Sequence, residues 1–208
     1  MTRIIQMETS KSWLAMPSSS TKNTSKLSAL TPFLFVTQLF ILVFSENTLA
    51  NDIALIKLSR TLDVNEKVKP VPLPDPGSSP QGTCEVAGWG QFSVSESSNK
   101  TVLQEVPVPI MDPSGCKAKT DRKISEHEMC VGAEADKNHT CIGDSGGPLY
   151  NQNGGKAVVI GIASSGVGCN NGGKPAVYMK LSAYTDWIKS TMGSNAGPAR
   201  KFLEGIAS

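Results

Sequence analysis

The stretch Cys141-Ile142-Gly143-Asp144-Ser145-Gly146-Gly147-Pro148-Leu149 carries the sharpest chemical signature in the chain. A serine set between small residues presents its hydroxyl on a tight turn, with successive backbone N–H groups aimed at one spot. An acyl-transfer nucleophile with an oxyanion hole needs that arrangement. Taken alone, Gly-Asp-Ser-Gly-Gly is equally an ordinary loop, as most Gly/Ser clusters are. Other chemistries are poorly served. The five cysteines (Cys84, Cys116, Cys130, Cys141, Cys169) form no CxxC pair, and the histidines are His127 and His139 alone. Zinc-ligand spacing is therefore missing, and neither a metal nor another cofactor is expected. A disulfide framework fits better and implies an oxidising compartment. The odd count leaves at least one thiol unpaired or bound to another chain. A net charge of +2 provides no field for a nucleic-acid partner.

The elements that must position these residues read as short strands. Charged residues at 18% against 39% apolar exclude disorder of the whole chain. Ile53-Ala54-Leu55-Ile56-Lys57-Leu58 has the length of a buried strand, and Pro70 to Pro80 reads as an extended linker. Further strands are expected at Cys84–Gly88, Val102–Val108, Gly147–Tyr150, Val158–Ala163 and Ala176–Leu181. Asn151-Gln152-Asn153-Gly154-Gly155 is a hairpin signal between two of them. Short strands at this spacing argue for a sandwich or a barrel. One helix is expected near the end, with Ser182 as N-cap, Tyr184, Trp187, Ile188 and Met192 on one face, and Gly193 as the stop.

The first fifty residues are of another kind. Residues 1–29 are rich in Ser, Thr and Lys, and the chain turns apolar from Leu30 to Phe44. As a helix this run spans about 22 Å, short of a ~30 Å hydrocarbon core. Its length suits a signal-peptide core, with Lys22 and Lys26 before it and Thr48-Leu49-Ala50 as a small-residue cleavage site. An uncleaved signal anchor over 27–44 and a segment of neither kind are the other readings. Either membrane reading sends the C-terminal part outward.

Further motifs join the Ser145 loop: Asn51-Asp52-Ile53-Ala54-Leu55, Gly88-Trp89-Gly90, Cys130-Val131-Gly132, Gly166–Cys169, Lys174-Pro175-Ala176-Val177-Tyr178 and Asp186-Trp187-Ile188. In order and spacing, residues 51–193 resemble the trypsin-like serine proteases of the chymotrypsin fold. The resemblance implies an all-β architecture of antiparallel barrels with a C-terminal helix. It implies a serine endopeptidase working through an acyl-enzyme at Ser145, with Gly143 and Ser145 supplying the oxyanion-hole N–H groups. Asp52 matches the acid that orients the catalytic histidine, and Asp144 the partner of a freed N-terminus. Ser164, Ser165 and Gly166 match the segment that pairs with substrate backbone, although the usual Trp is here Ser165. His139 falls at the floor of the specificity pocket and Ala176 on its wall. Two disulfides are implied, Cys116–Cys130 and Cys141–Cys169. Cys84 is left over, because its family partner would stand where this chain has Asn151.

The departures are as informative. The family's histidine stands roughly forty residues before the aspartate, yet residues 1–50 contain no histidine. Arg3-Ile4-Ile5 resembles an activation site, but Gln6-Met7 follows in place of glycines. Most of the first barrel is therefore expected to be absent. The division expected is a non-matching segment 1–50, a first-barrel remnant and linker 51–78, a second barrel with helix 79–193, and a tail 194–208. Little or no hydrolysis is expected, and the alternative is a non-catalytic secreted homologue acting as a binding or regulatory module. The partners implied are a peptide or protein substrate, or a protease inhibitor. The chain is expected outside the cell, and at a membrane only if 27–44 is an anchor. The strand Ile53–Leu58 is expected to lose its neighbours and leave the chain poorly soluble or oligomeric.

Overall fold

A computed structural model describes residues 4–5, 13–14, 36–45, 47–58, 70–88, 104–120, 123–132, 145–153, 156–165 and 174–194. One sheet is built around β4 (Ala54–Leu58), whose partners are β1 (Ile4–Ile5), β2 (Trp13–Leu14) and β3 (Val36–Ile41). The second sheet contains β5 (Thr83–Gly88), β6 (Gln104–Pro109), β7 (Glu128–Val131), β8 (Pro148–Asn153), β9 (Lys156–Ser165) and β10 (Ala176–Lys180). Its order is β6-β5-β8-β9-β10-β7, antiparallel throughout. A bridge between Ile110 and Val131 joins its two ends. Met111 N–H donates to Cys130 O and Gly132 N–H to Pro109 O, each at 2.9 Å, so the six strands curl into a barrel. Closure of this kind removes the exposed edges of a sheet.

The expected strands of this barrel are present within a few residues of their anticipated ends. The hairpin is formed by β8 and β9, with Asn153 opposite Lys156. Between β6 and β8 two elements had not been anticipated, β7 and the helix α1 (Pro113–Lys119). Asp112 caps α1, accepting from Ser114 N–H and Gly115 N–H at 2.9 Å, and Pro113 opens its first turn. Cys116 and Cys130 are bonded, with Cα atoms 5.7 Å apart, as the resemblance implied. A loop of this size contributes about 3 kcal/mol when closed. Near the end, Leu181–Ala183 forms a 3-10 turn before α2 (Thr185–Ser194). Ser182 therefore does not cap α2. Its hydroxyl donates to Ser78 O instead, and Gly193 lies inside the last turn.

The expectation that Ile53–Leu58 would stand without neighbours is overturned. β3 runs antiparallel to β4 with Leu39 opposite Ile56, Phe40 opposite Leu55 and Ile41 opposite Ala54. Period-two alternation is hidden inside the apolar stretch Leu39–Phe44. Phe40 and Leu42 pack against the core, whereas Leu39 and Ile41 are half exposed and Val43 is 85% exposed. Part of the run read as a signal core is thus a strand, and no helix among the described residues is long and apolar enough to cross a membrane. Ile4 and Ile5, two residues of the apparent activation site, pair in parallel with Ala54 and Leu55.

The inner face of β4 is covered by the other sheet and the C-terminal helix. Ile53 and Leu55 share one buried cluster with Ile162, Met179, Leu181, Tyr184, Ile188 and Met192. Each such side chain gains roughly 1.5–3 kcal/mol by leaving water. The Pro-rich segment 70–80 is bound across the same junction. Gly77 N–H donates to Ser182 O at 3.0 Å, and Thr185 Oγ1 donates to Pro74 O at 3.0 Å. A second cluster fills the barrel, with Cys84, Val86, Val108, Val131, Leu149, Ile160 and Tyr178 among its members.

Candidate active site

Asp52 sits immediately before β4, at the junction of the two sheets. It is 2% exposed, and Ser164 Oγ, from the end of β9, donates to its Oδ2 at 2.9 Å. Ser164 is itself buried at 1% exposure. A hydroxyl bonded to a carboxylate in such a setting is among the stronger hydrogen bonds a protein makes. Ser164 was expected to face the substrate through its backbone. The role of its side chain toward Asp52 had no signal in the sequence, since the two residues are 112 positions apart.

Ser145 lies in the turn that enters β8 and is half-buried. Two backbone bonds tie this turn to β9: Gly146 N–H donates to Ala163 O at 2.9 Å, and Ala163 N–H donates to Gly147 O at 3.0 Å. Gly146 has φ +83°, a conformation that side chains other than hydrogen resist. The glycine after the serine is therefore required by the turn. Ala163 is the neighbour of Ser164, so one short segment of β9 holds the Ser145 turn by its backbone and Asp52 by its side chain. Asp52 and the Ser145 turn thus share β9 as a common neighbour.

Among the remaining candidates, Ser165 is partly buried opposite Val177, and Ala176 of β10 is buried opposite Val131 of β7. Gly143, His139 and Gly166 lie outside the described residues, as do Asp144, Cys141 and Cys169. His127 stands in the turn before β7, half exposed, within 3.9 Å of Glu126. Its ring meets the Tyr184 ring edge-on, with centroids 5.6 Å apart. No group of three or more metal-ligating side chains occurs among the described residues.

Cys84 is a buried free thiol that donates to Val108 O at 3.3 Å. Burial and the Glu85 carboxylate push it up to about 12, against a smaller opposing effect of its own backbone N–H. It is a packed core residue rather than a nucleophile. On the barrel surface Tyr150 donates to Glu105, and its phenol is raised first by burial and then by that carboxylate.

An antiparallel six-stranded barrel followed by a C-terminal helix, with a second sheet packed against it, is the architecture of the chymotrypsin fold. Comparison with known proteins places the chain within that class. The trypsin family model matches residues 19–188. The chain is 40% identical over 152 residues to "Trypsin I-P1" of Gallus gallus, covering 73% of this chain and 60% of that protein. It is 39% identical over 152 residues to "Trypsin" of Sus scrofa, covering 73% and 64% respectively. With "Trypsin-1" of Astacus astacus it shares 39% over 149 residues, covering 71% and 62%. The chain belongs to the trypsin family, and it spans about three-fifths of the length of the curated relatives it matches. The family match starts at residue 19, well before residue 51 where the recognisable motifs begin.

Proposed function

We propose that this chain carries a serine-endopeptidase site in which Ser145 is the nucleophile and Asp52 the acid that orients a base, and that the base itself is lacking. The observation that carries the reading is the Ser164–Asp52 bond at 2.9 Å on the same strand segment that holds the Ser145 turn. Ser164 holds the carboxylate, and the Ser145 turn would bring the hydroxyl and its own backbone N–H toward the same cleft. Gly143 would complete the oxyanion hole. The site would take an extended peptide along Ser164, Ser165 and Gly166, with His139 beneath and Ala176 beside the first side chain. His139 at that floor offers no carboxylate to a lysine or arginine.

Without a general base, Ser145 keeps its proton and is an ordinary alcohol at neutral pH. Loss of a triad histidine lowers turnover on the order of 10⁶-fold. His127 is engaged with Tyr184 and Glu126 in a different turn, which supports the reading that it does not stand in for the base. The Cys116–Cys130 bond supports an oxidising, extracellular setting. The purified chain should hydrolyse peptide esters and amides no faster than its Ser145→Ala variant, and should resist phosphonate labelling. Stoichiometric labelling at Ser145 would show that a base is present. The second reading, a non-catalytic secreted homologue that binds proteins through the same cleft, is supported by the intact Ser164–Asp52 framework. Its mark is binding of a protein protease inhibitor that the chain never cleaves.

A further inference from the structure

The loop between β3 and β4 enters the site through a strained backbone. Leu49 and Asn51 both lie in the left-handed region, at φ 57° and 56°. Asparagine tolerates that region and leucine resists it, so the loop must be held by its contacts. Within the loop, Ser45 N–H donates to Ala50 O at 3.1 Å and Asn51 Nδ2 donates to Val43 O at 2.9 Å. From outside it, the Tyr184 hydroxyl donates to Asn51 Oδ1 at 3.2 Å. Both ends of the Asn51 amide are therefore engaged, one inside the loop and one on the residue that precedes α2. Asp52 follows directly, gripped from the other side by Ser164.

We infer that Tyr184 is a positioning residue for Asp52, and that its hydroxyl acts through the Asn51 side chain to set how the carboxylate enters the site. The inference rests on the proposal that Asp52 and Ser145 form one site. Tyr184 is buried at 3% exposure, with its ring against His127 and its hydroxyl 3.7 Å from Met179 Sδ. Burial first, and then the Glu128 and Asp52 carboxylates, push its phenol up to about 12. The donor thus keeps its proton at neutral and mildly alkaline pH. Docking of the C-terminal helix is in this way tied to the geometry of the acid.

The test follows the Asp52 carboxyl carbon by NMR in carboxyl-labelled full-length chain. Tyr184→Phe keeps the ring and removes only the hydroxyl, and Asn51→Gly keeps the left-handed backbone and removes only the amide. Each single variant should displace the Asp52 resonance, and the double variant should displace it no further than Asn51→Gly alone. An unmoved resonance in Tyr184→Phe, or displacements that add in full, would overturn the inference. Ser164→Ala separates the two claims. If that variant displaces the resonance and Tyr184→Phe does not, the positioning role fails and the site stands. If Ser164→Ala leaves the resonance in place, the reading of the site fails and the positioning role with it.

Discussion

Removing the Ser164 hydroxyl tests the framework where it is most concentrated. Donor and acceptor are 1% and 2% exposed, and the bond is 2.9 Å long. Water therefore cannot replace the lost donor without entering the junction between the sheets. A hydrogen bond to a charged group contributes about 1.5–3 kcal/mol, and an acceptor left buried without its donor loses at least as much. The added cavity is one oxygen atom and adds little. Ser164→Ala should then cost about 2–3 kcal/mol, or roughly a 4–12 °C fall in Tm for a domain of this size. Urea unfolding followed by tryptophan fluorescence reads the change as a lower midpoint with an unchanged slope. A cycle with Asp52→Ala should show at least about 1 kcal/mol of coupling, because the two residues share one bond. A loss below about 0.5 kcal/mol, typical of surface substitutions, would mean that the bond is solvated and that Ser164 does not hold the acid.

Two further outcomes follow from the barrel. Tyr150 opposite Glu85 and Leu149 opposite Val86 continue the register to bring position 151 opposite Cys84. Antiparallel neighbours lie about 4.5–5.5 Å apart, within disulfide reach, so Asn151→Cys should bridge to Cys84 and gain roughly 2–4 kcal/mol. A peptide map of the oxidised variant showing Cys84 still free would refute the register. The second outcome is alkaline. The Cys84 thiol is raised from 9.0 and the Tyr184 phenol from 10.0, each to about 12. Both stay protonated in the fold after they ionise in the unfolded chain, so the fold binds more protons and stability falls as pH rises. The part of the loss due to these two groups should begin near pH 9, steepen above pH 10 and level off near pH 12, with Cys84→Ala removing its earlier part. Stability that is flat from pH 9 to pH 11 would contradict the burial of both groups.

Local signals carried the barrel and the Ser145 half of the candidate site. Val158–Ala163 and Ala176–Leu181 are strand-length apolar runs bounded by turn residues, and β9 and β10 form there. The turn after Ser145 demands glycine at Gly146, and the sequence shows that demand directly. α1 was missed although its signal was present in Asp112-Pro113, a capping residue followed by a residue preset for a first turn. β7 holds Glu128 as a buried polar residue, and a short segment of this kind gives no clear period. Its carboxylate is retained by Ser125, whose N–H and hydroxyl both donate to it at 2.9 Å.

The other half of the site was beyond any local reading, and β3 shows why. A run apolar at nearly every position looks the same as a membrane helix or a strand buried on both faces. What separates them is the presence of a partner, and the partner here is β4, which starts two residues after Asp52. Pairing with β3 aligns β4, and the shared cluster presses Ile53 and Leu55 onto Ile162, Met179 and Tyr184. That packing brings the residue before Ile53 within reach of Ser164 on β9 and brings Asn51 within reach of Tyr184. Asp52 is therefore positioned by contacts from both sheets and the C-terminal turn, all distant in sequence. The Ser145 turn depends on its own glycines and one neighbouring strand. A change in the β3 run should consequently disturb Asp52 well before it disturbs Ser145.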